Sequence, residues 1–383
     1  MALQNYHNII HRCFRCGYCK LAINYSQINC PSYSRFRFET YSPGGMMWLI
    51  EAWIKRKIKW SESFAKILYS CTACNNCVKQ CKFPFSSDIV NIILAAREQM
   101  VEDGLVLPLL ARFFRNIETY GNPFREPREE RNKWAEGTSI QEYEGHEYLY
   151  YVGCLGSYDE RGQKVARALG EVLLNAEISF GILGAKEECE GNEVNFLGEK
   201  RLFKILAEKN MNTFSELGVK KIITLSPHSY NAFKNLYPDK LKVFHYTQIL
   251  SNLIKEQRLT LKRYPAKVTY HDPCLLGRHN EEYQAPRDIL NAIPGIELLE
   301  MEKHRENAFC CGGGSGNFYI DSFGGGKYSP ARIRIREAYQ TGANILAVAC
   351  PTCMTMLSDA IRSEGLEKEL IIKDISEIVR ESL

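Results

Sequence analysis

The sequence predicts a multidomain α+β protein, in which an all-helical N-terminal domain is followed by two α/β domains that repeat each other. The 383 residues exceed what one ordinary core holds, so two or three domains are expected. Apolar residues recur with helical spacing in the first part of the chain, whereas short β-rich runs alternate with helical patterns in the rest. The 45% hydrophobic and 25% charged residues are typical of a globular protein in water.

The composition also limits the partners and the compartment. A net charge of +4 is too small to indicate a nucleic-acid partner. The opening residues MALQNYHNIIHRC lack the apolar core of a secretory signal, and no run reaches the roughly 18 apolar residues of a membrane span. We therefore expect a cytoplasmic protein without a transmembrane segment of its own. In that reducing compartment 15 cysteines, an odd number, indicate metal or redox chemistry rather than a disulfide framework.

Residues 1–110 form the predicted helical domain. Its segment MMWLIEAWIKRKIKW has the apolar spacing of an amphipathic helix. The basic residues of this segment are Lys55, Arg56, Lys57 and Lys59. They are interpreted either as a docking surface for a partner or an acidic membrane, or as a solvated helix face whose lysine stems lie over tryptophans.

Eight cysteines of this domain fall into two groups, C-x2-C-x2-C with a later Cys-Pro, and C-x2-C-x2-C-x3-C. This spacing is close to the bacterial ferredoxin run, in which three neighbouring cysteines hold one [4Fe–4S] cluster and the fourth reaches the other cluster. By that logic one cluster is held by the first quartet, which consists of Cys13, Cys16, Cys19 and Cys81. The other is held by the second quartet, which consists of Cys30, Cys71, Cys74 and Cys77.

Two departures from the ferredoxin run leave the fourth ligand of each cluster open. The 10 residues between Cys19 and Cys30 are many more than the run has at this place, and Cys81 has no proline directly after it. Two structural zinc sites are the alternative to two cubane clusters.

A charged, proline-punctuated stretch predicts a linker over residues 111–147. The first repeat follows at residues 148–263 and the second repeat at residues 264–383. Strands are expected in EYLYYVGC and KKIITLS of the first repeat and in KVTYHDPC and ILAVACP of the second, with helices after them. The repeats align at two places: YYVGCLGSYDE with TYHDPCLLGRH, and LGVKKIITLSPHSYNAF with TGANILAVACPTCMTML.

The second repeat carries five further cysteines in a long pattern. Cys274 is followed after 35 intervening residues by the pair Cys310-Cys311 and three glycines, and the motif Cys350-Pro-Thr-Cys353 closes the pattern. Five thiolates are more than one zinc ion or one cubane cluster can use, and glycines let backbone N–H groups approach an anionic group. A phosphate loop is disfavoured, because no strand leads into GGGSG in a G-x-G-x-x-G frame.

This pattern resembles the CCG domain of the heterodisulfide reductase family, which is named for its Cys-Cys-Gly triplet. Over nearly the whole chain, the domain order is similar to that of the catalytic D-type subunit of this family. The resemblance implies a ferredoxin-type helical domain with two cubane [4Fe–4S] clusters, followed by two CCG domains. It also implies that one non-cubane [4Fe–4S] cluster is bound by the five-cysteine set, which consists of Cys274, Cys310, Cys311, Cys350 and Cys353.

The first repeat departs from this pattern. It keeps Cys154 and Cys189 but has Glu190, Ser226 and Ser229 at the other three ligand positions. Carboxylates and hydroxyls are poor ligands for iron–sulfur cores, which soft ligands hold best. We therefore predict no non-cubane cluster in the first repeat. Its retained residues, with His228 close by, are interpreted as a packed remnant or as a small metal site.

Two histidines near the five-cysteine set are candidate catalytic residues. His271 precedes Cys274, and His304 precedes the cysteine pair. Imidazole titrates near neutrality, so either could donate a proton to a departing thiolate, and a structural hydrogen bond is the alternative for each.

The sequence thus predicts an iron–sulfur oxidoreductase subunit, in which the two cubanes pass electrons to or from a non-cubane cluster that acts on a disulfide or thiol. The alternative is an electron conduit between a flavin-dependent dehydrogenase and a quinone or other membrane carrier, with no substrate at the CCG site. A third interpretation is a zinc scaffold without a redox role. Because no nucleotide or flavin fingerprint is evident, a redox partner subunit is expected: a flavoprotein, a ferredoxin or hydrogenase module, or a haem-bearing membrane subunit. Such a partner could hold the protein at the inner face of the membrane.

Overall fold

A computed structural model describes residues 3–22, 27–238 and 241–383. It confirms the α+β architecture, because a largely helical domain precedes two sheets that have four parallel strands each. No helix within the described ranges is both long enough and apolar enough to cross a membrane.

Among its described residues the helical domain departs from the prediction in two places. It contains a pair of two-residue antiparallel strands, β1 (Leu21–Ala22) and β2 (Gln27–Ile28). The helix predicted over MMWLIEAWIKRKIKW also ends at Ile54, so its basic residues follow the helix instead of forming a helix face. The α-helices of this domain are α1 (His7–Ile10), α2 (Pro31–Phe36), α3 (Pro43–Ile54), α4 (Glu62–Tyr69), α5 (Asn76–Gln80) and α6 (Asp88–Glu102). Serine side chains begin two of them. Ser42 accepts a hydrogen bond from the Gly45 amide at 3.0 Å before α3, and Ser61 accepts one from the Phe64 amide at 3.2 Å before α4.

The predicted linker is more ordered than its composition indicates. Helix α7 (Pro108–Tyr120) begins before it and buries Leu110, Phe113, Phe114 and Ile117. This i, i+3, i+4, i+7 spacing forms an apolar stripe, which packs in the core of the helical domain. A 3-10 helix over Arg128–Ala135 then buries Arg131 and Trp134. Because this stretch is rich in charged residues, its composition alone does not indicate that Trp134 and the apolar stripe of α7 are buried.

The two repeats have the same sheet topology, which confirms the internal repeat. The strands of the first repeat are β3 (Tyr148–Tyr151), β4 (Phe180–Gly181), β5 (Lys221–Thr224) and β6 (Lys242–His245). Those of the second repeat are β7 (Ala266–Tyr270), β8 (Ile296–Leu298), β9 (Ile345–Val348) and β10 (Ile371–Asp374). The spatial orders β4-β3-β5-β6 and β8-β7-β9-β10 correspond strand for strand, and every described pairing within the two sheets is parallel.

Helices cover both sheets. The α-helices of the first repeat are α8 (Gly153–Tyr158), α9 (Glu160–Asn175), α10 (Asn192–Phe196), α11 (Lys200–Glu216), α12 (Pro227–Asn231) and α13 (Tyr246–Lys255). Those of the second repeat are α14 (Gln284–Ala292), α15 (Asn317–Ile320), α16 (Pro330–Tyr339), α17 (Pro351–Glu364) and α18 (Ile375–Glu381). Helices α9, α17 and α18 contribute to one hydrophobic core that contains residues of both repeats.

Polar contacts fix the repeats against each other across this core. The Tyr246 hydroxyl donates a hydrogen bond of 2.7 Å to Asp374 Oδ1, and the Arg161 guanidinium binds both carboxylate oxygens of Glu377. Residues at the carboxyl ends of parallel strands meet at one edge of a sheet. Cys154 follows β3, and Cys274 follows β7 at the corresponding edge of the other sheet. The fold therefore directs the ligand positions of both repeats to equivalent sheet edges.

Arg97 in α6 joins the helical domain to both repeats. Its fully buried guanidinium donates hydrogen bonds of 2.6 Å to the carbonyls of Leu68 and Cys71 in its own domain. It also donates to the Phe196 carbonyl of the first repeat at 3.0 Å and to the Ser315 hydroxyl of the second repeat. One cation thus satisfies acceptors from all three parts of the molecule.

We expect Arg97→Met to destabilise the protein, because methionine fills similar space but leaves these buried acceptors without their donor. Hydrogen bonds to a charged group contribute about 1.5–3 kcal/mol each, so the free energy of unfolding should fall by about 3 kcal/mol or more. The measurement is anaerobic thermal unfolding of the purified protein. Arg112→Met in the exposed face of α7 is the matched control, and equal midpoints for the two variants would contradict a structural role for Arg97.

Candidate functional site

The first quartet lines one cavity of about 20 Å³. Cys81, which is far from the triplet in sequence, reaches it because α5 ends there. The rest of the lining is largely apolar and consists of Phe14, Arg15, Gly17, Gly44, Met47, Phe83, Phe85 and Ile89. A Cβ added at Gly44 would stand 3.7 Å from Cys13 Sγ and 3.8 Å from Cys19 Sγ. The glycine therefore keeps the space between the sulfur atoms open.

The electrostatics of this cavity suit a metal cluster better than four free thiols. Burial raises the pKa of Cys13, of Cys81 and, to about 12, of Cys19. These thiols would ionise together only if positive charge stood between them, and Arg15 is the one charged residue among the described lining. A sulfur-only donor set around a small apolar cavity fits an iron–sulfur cluster, whose irons would supply that charge.

The second quartet lines a separate cavity of about 20 Å³. The lining described there contains no charged side chain; apart from the four cysteines it consists of Pro31, Ser32, Pro43, Met46, Thr72, Asn76 and Val90. Burial raises the pKa of Cys30 and Cys77 well above the ordinary thiol range. The two cavities therefore group the eight cysteines as the ferredoxin-like crossover predicts, and the assignment of ligands remains a prediction.

The five-cysteine set converges at the carboxyl edge of the second sheet. Cys350 is the residue before α17, and Cys353 lies in its first turn. The Sγ atoms of Cys311 and Cys353 are 3.3 Å apart, and Cys310 raises the pKa of Cys274 while Cys274 lowers that of Cys310. All five are buried or half-buried. Adjacent cysteines point to different partners, so the dipeptide serves both sides of the set.

The glycine-rich loop after the pair surrounds these sulfur atoms with donors. The Gly312 amide donates to Cys310 Sγ at 3.3 Å, and the Gly313 amide donates to Cys311 Sγ at 3.5 Å. Gly312 has φ +92°, a conformation that favours glycine, and a Cβ at Gly313 would lie 2.8 Å from side-chain atoms of Thr352 and Met356. Amides aimed at sulfur suit anionic ligands, so the donor set fits an iron–sulfur cluster.

The five-cysteine set adjoins the second quartet. Cys310 Sγ lies 3.7 Å from Thr72 Oγ1, and Cys310 raises the pKa of Cys74 while Cys74 lowers that of Cys310. Buried Arg278 bridges the same two segments, because its guanidinium donates to the Cys74 carbonyl and to the Ala308 carbonyl, each at 2.6 Å. This close approach could not be predicted from the sequence, because the second quartet and the five-cysteine set lie far apart in the chain.

The structure separates the two candidate proton donors. His271 lies beside the set, since its ring nitrogen and the sulfur atoms of Cys311 and Cys353 are all within 4.8 Å of one another. Burial and then Arg334, which donates to His271 Nδ1 at 3.1 Å, lower the pKa of His271 to about 3. His271 is therefore neutral at pH 7. His304 instead bonds the Met301 carbonyl through Nδ1 at 2.7 Å. The proton-donor roles remain predictions, and the geometry favours His271 as the residue near the sulfur atoms.

All five ligand positions of the first repeat line a third cavity, of about 40 Å³. These positions are Cys154, Cys189, Glu190, Ser226 and Ser229. Gly313, Pro351 and Thr352 of the second repeat form part of the opposite wall. The cavity therefore lies between the altered ligand set of one repeat and the intact set of the other.

His228 connects this cavity to the five-cysteine set. Its Nδ1 lies 2.6 Å from Glu193 Oε1, and His228 lowers the pKa of Cys350. Although burial opposes both charges, Glu193 raises the pKa of His228 well above its usual range, and His228 lowers that of Glu193. The sequence showed His228 only as a neighbour of the altered motif, and nothing in it pointed to Glu193.

Comparison with known proteins gives the same domain order. A cysteine-rich domain model, CCG, matches residues 148–234 and 268–358, and a 4Fe-4S dicluster domain model matches residues 9–84. A probable iron–sulfur-binding oxidoreductase, FadF, of Bacillus subtilis is 39% identical over 82% of this chain and 46% of its own length. The EtfAB:quinone oxidoreductase of Syntrophomonas wolfei is 33% identical over 82% of this chain and 46% of its length.

The D subunit of dihydromethanophenazine:CoB–CoM heterodisulfide reductase from Methanosarcina barkeri is 29% identical over 84% of this chain and 79% of its own length. The chain spans about half the length of the first two relatives. The names of these relatives therefore include a quinone oxidoreductase and a subunit of a heterodisulfide reductase.

The aligned positions Cys310 and Cys189 allow a matched test of which repeat binds iron. Three [4Fe–4S] clusters correspond to about twelve irons per chain. We expect Cys310→Ala to lower the iron content by about four per chain, because it removes a sulfur of the five-cysteine set, whereas Cys189→Ala should leave it unchanged. The measurement is iron and zinc per chain on protein purified without oxygen. Equal iron loss in the two variants would contradict the assignment of the cluster to the second repeat.

Proposed function

Because the chain belongs to the family of iron–sulfur proteins that join a 4Fe-4S dicluster domain to CCG cysteine-rich domains, we propose that it is the iron–sulfur redox subunit of a heterodisulfide reductase-like complex. In this proposal the first and second quartets hold cubane clusters and the five-cysteine set holds a non-cubane cluster. When bound, these groups supply one-electron transfer and, at the non-cubane cluster, chemistry on a disulfide or thiol.

The close approach of Cys310 to the second quartet carries this proposal. Cys310 Sγ lies 3.7 Å from the hydroxyl of Thr72, which stands between Cys71 and Cys74 in the chain, so the two cysteine sets adjoin, as a relay between two redox centres requires. Arg278 holds the two backbone segments at this distance through hydrogen bonds to both. A protein that used its cysteines only as structural metal ligands would have no need to place two sets in contact.

The cavity between the repeats supports a substrate at the five-cysteine set. Its wall contains Pro351 and Thr352, which lie between Cys350 and Cys353. The His228–Glu193 pair places a protonated imidazole against Cys350. A cation at this position stabilises negative charge on sulfur, which a thiolate released from a disulfide would carry.

The second candidate function is an electron-transfer subunit between a flavin-dependent dehydrogenase and a quinone or other membrane carrier, with no substrate at the CCG site. Two observations favour it. Relatives at 39% and 33% identity are named as an iron–sulfur-binding oxidoreductase and an EtfAB:quinone oxidoreductase. The first repeat also lacks three of the five cysteines that a second non-cubane cluster would use.

Turnover with a small disulfide separates the two functions. With reduced methyl viologen as the electron donor and glutathione disulfide as the probe, the subunit should oxidise viologen in proportion to thiol formed. Cys310→Ala should abolish this turnover, while the electron paramagnetic resonance signals of two reduced cubane clusters remain. Viologen oxidation with a water-soluble quinone as the electron acceptor, but none with the disulfide, would instead support the conduit.

The surface near the first quartet is where we expect the partner to bind. Cys16 is exposed there, and the neighbouring Phe14 side chain is 76% exposed. The Arg15 guanidinium lies 3.1 Å from the centre of the Trp48 ring, which is itself 43% exposed. An aromatic and basic surface over an electron-transfer site suits a redox partner with an acidic face.

We expect the protein from its native host to purify with a second, electron-donating subunit. Phe14→Glu with Arg15→Glu should weaken this association at least tenfold, because the substitutions replace apolar contact and positive charge with like charge against an acidic face. The measurement is the amount of partner retained on the tagged subunit at low ionic strength. Lys368→Glu, exposed in the second repeat far along the chain, is the control, and full activity of an isolated monomer with its natural electron source would contradict the need for a partner.

A further inference from the structure

The two cysteines that the first repeat retains lie together in the cavity between the repeats. Cys154 belongs to α8 and Cys189 to the loop before α10, and both are buried. Both side chains line the cavity, and Cys154 raises the pKa of Cys189. A remnant that had lost all use would be free to close this space, yet the cavity remains about twice the volume of either cavity that holds a quartet.

The surroundings of the two thiols differ. Arg131 Nη2 donates to Cys154 Sγ at 3.4 Å, and this guanidinium is fully buried with Glu187 as its ion-pair partner. Cys189 instead accepts from the Gly191 amide at 3.4 Å, and Cys154 together with burial raises its pKa well above the usual range. Cys154 thus lies beside a cation, whereas Cys189 is held protonated. This is the arrangement of an attacking cysteine, here Cys154, and a resolving cysteine, here Cys189.

Positive charge beside Cys154 opposes a metal ion in this place. The Arg131 guanidinium donates to Cys154 Sγ at 3.4 Å. The imidazole of His228, which lines the same cavity, already has its Nδ1 2.6 Å from Glu193 Oε1. A divalent cation held by the two sulfurs would have to stand next to the Arg131 guanidinium, whereas a sulfur–sulfur bond adds no charge.

Glu190 gives the pair a proton acceptor. Its side chain is 8% exposed and lines the cavity, and burial raises the pKa of its carboxyl. The Cys189 thiol points to this carboxyl group, with Cys189 Sγ 4.0 Å from Glu190 Oε2. The carboxyl thus lies beside the sulfur that must lose a proton when the pair is oxidised.

The second repeat lies directly across the cavity. Gly313 lines the opposite wall, and its amide donates to Cys311 Sγ at 3.5 Å. A single residue therefore separates the cavity from the five-cysteine set, a short distance for electron transfer between the two sites.

We propose that Cys154 and Cys189 form a redox-active dithiol that exchanges two electrons with the iron–sulfur centres of the protein. On oxidation the two S–H bonds break and one S–S bond forms, two protons leave by way of Glu190 and solvent, and two electrons pass one at a time to the iron–sulfur centres. Reduction reverses each of these changes.

The same pair would react with a small disulfide, and this step alone rests on the proposed function. Cys154 thiolate attacks the disulfide R–S–S–R′, which forms a Cys154–S–S–R mixed disulfide and releases R′–S⁻. Cys189 then displaces R–S⁻ and closes the Cys154–Cys189 disulfide. In this way the first repeat would take the place of a second cluster on that side of the substrate.

The experiment uses the whole protein with its clusters, poised without oxygen at a series of potentials with mediator dyes. Each sample is quenched in acid, alkylated under denaturing conditions and digested with trypsin. Cys154 lies in the peptide 134–161 and Cys189 in the peptide 187–200, each with a single cysteine. A disulfide between these two peptides therefore reports on this pair alone.

We expect the linked peptide in the oxidised samples and at least tenfold less of it after dithionite reduction. In Cys189→Ala, glutathione disulfide should leave a stable mixed disulfide on Cys154, and in Cys154→Ala it should leave at least tenfold less on Cys189. Free thiols at every potential, or one zinc or iron bound per chain that Cys154→Ala and Cys189→Ala both release, would overturn the proposal. If the linked peptide forms reversibly but glutathione disulfide is not reduced in turnover, only the proposed disulfide reductase activity is contradicted. A failure of the redox-active dithiol and a failure of the proposed function can therefore be told apart.

Discussion

The buried guanidinium of Arg97 is the contact on which the arrangement of the redox sites depends. It binds the carbonyl of Cys71, a member of the second quartet, and the hydroxyl of Ser315, which follows the glycine loop of the five-cysteine set. It also binds the Phe196 carbonyl of the first repeat. Burying a guanidinium is costly unless it is hydrogen-bonded, so the acceptors that come from all three parts of the chain stabilise Arg97 together. These hydrogen bonds fix the three parts of the chain in one arrangement, in which the second quartet adjoins the five-cysteine set.

Arg278 and the glycine amides extend this constraint to the sulfur atoms. Burial raises the pKa of most of the predicted ligands, so the thiols become thiolates only when positive charge arrives. Arg278 lies near Cys74, Cys274 and Cys310 and supplies part of that charge within the protein. The amides of Gly312 and Gly313 supply further donors without a side chain that would occupy the site. These groups therefore place positive charge and hydrogen-bond donors next to the sulfur atoms that would bind an anionic cluster.

The two repeats show how one backbone topology holds two different sites. Their sheets correspond strand for strand, and the ligand positions follow the same strands in each. In the second repeat these positions all carry thiols. In the first they carry two thiols, a carboxyl and two hydroxyls around a cavity that the second repeat closes. His228 and Glu193 of the first repeat then act on Cys350 of the second, so each repeat completes the surroundings of the other.

Much of this protein follows from the sequence alone. The alternation of strands with helices and the alignment of KKIITLS with ILAVACP determine two α/β repeats, because strand patterns are local and repeat along the chain. Cysteine spacing predicts the two quartets, because it is close to the bacterial ferredoxin run, and the resemblance to the CCG domain predicts the five-cysteine set. Helix α7, in which charged residues flank the apolar stripe, was not predicted from the sequence. The two short strands of the helical domain were not predicted either.

Only the tertiary structure decided how these groups meet. The approach of Cys310 to the second quartet, the pairing of His228 with Glu193 and the meeting of Cys154 with Cys189 in one cavity each join segments far apart in the chain. Such contacts depend on how the domains pack, and packing is set by buried groups such as Arg97 that have no pattern of their own in sequence. The sequence by itself determined which residues could bind metal or carry electrons. The fold decided which of them face one another, because the buried hydrogen bonds of Arg97 hold all three parts of the chain together.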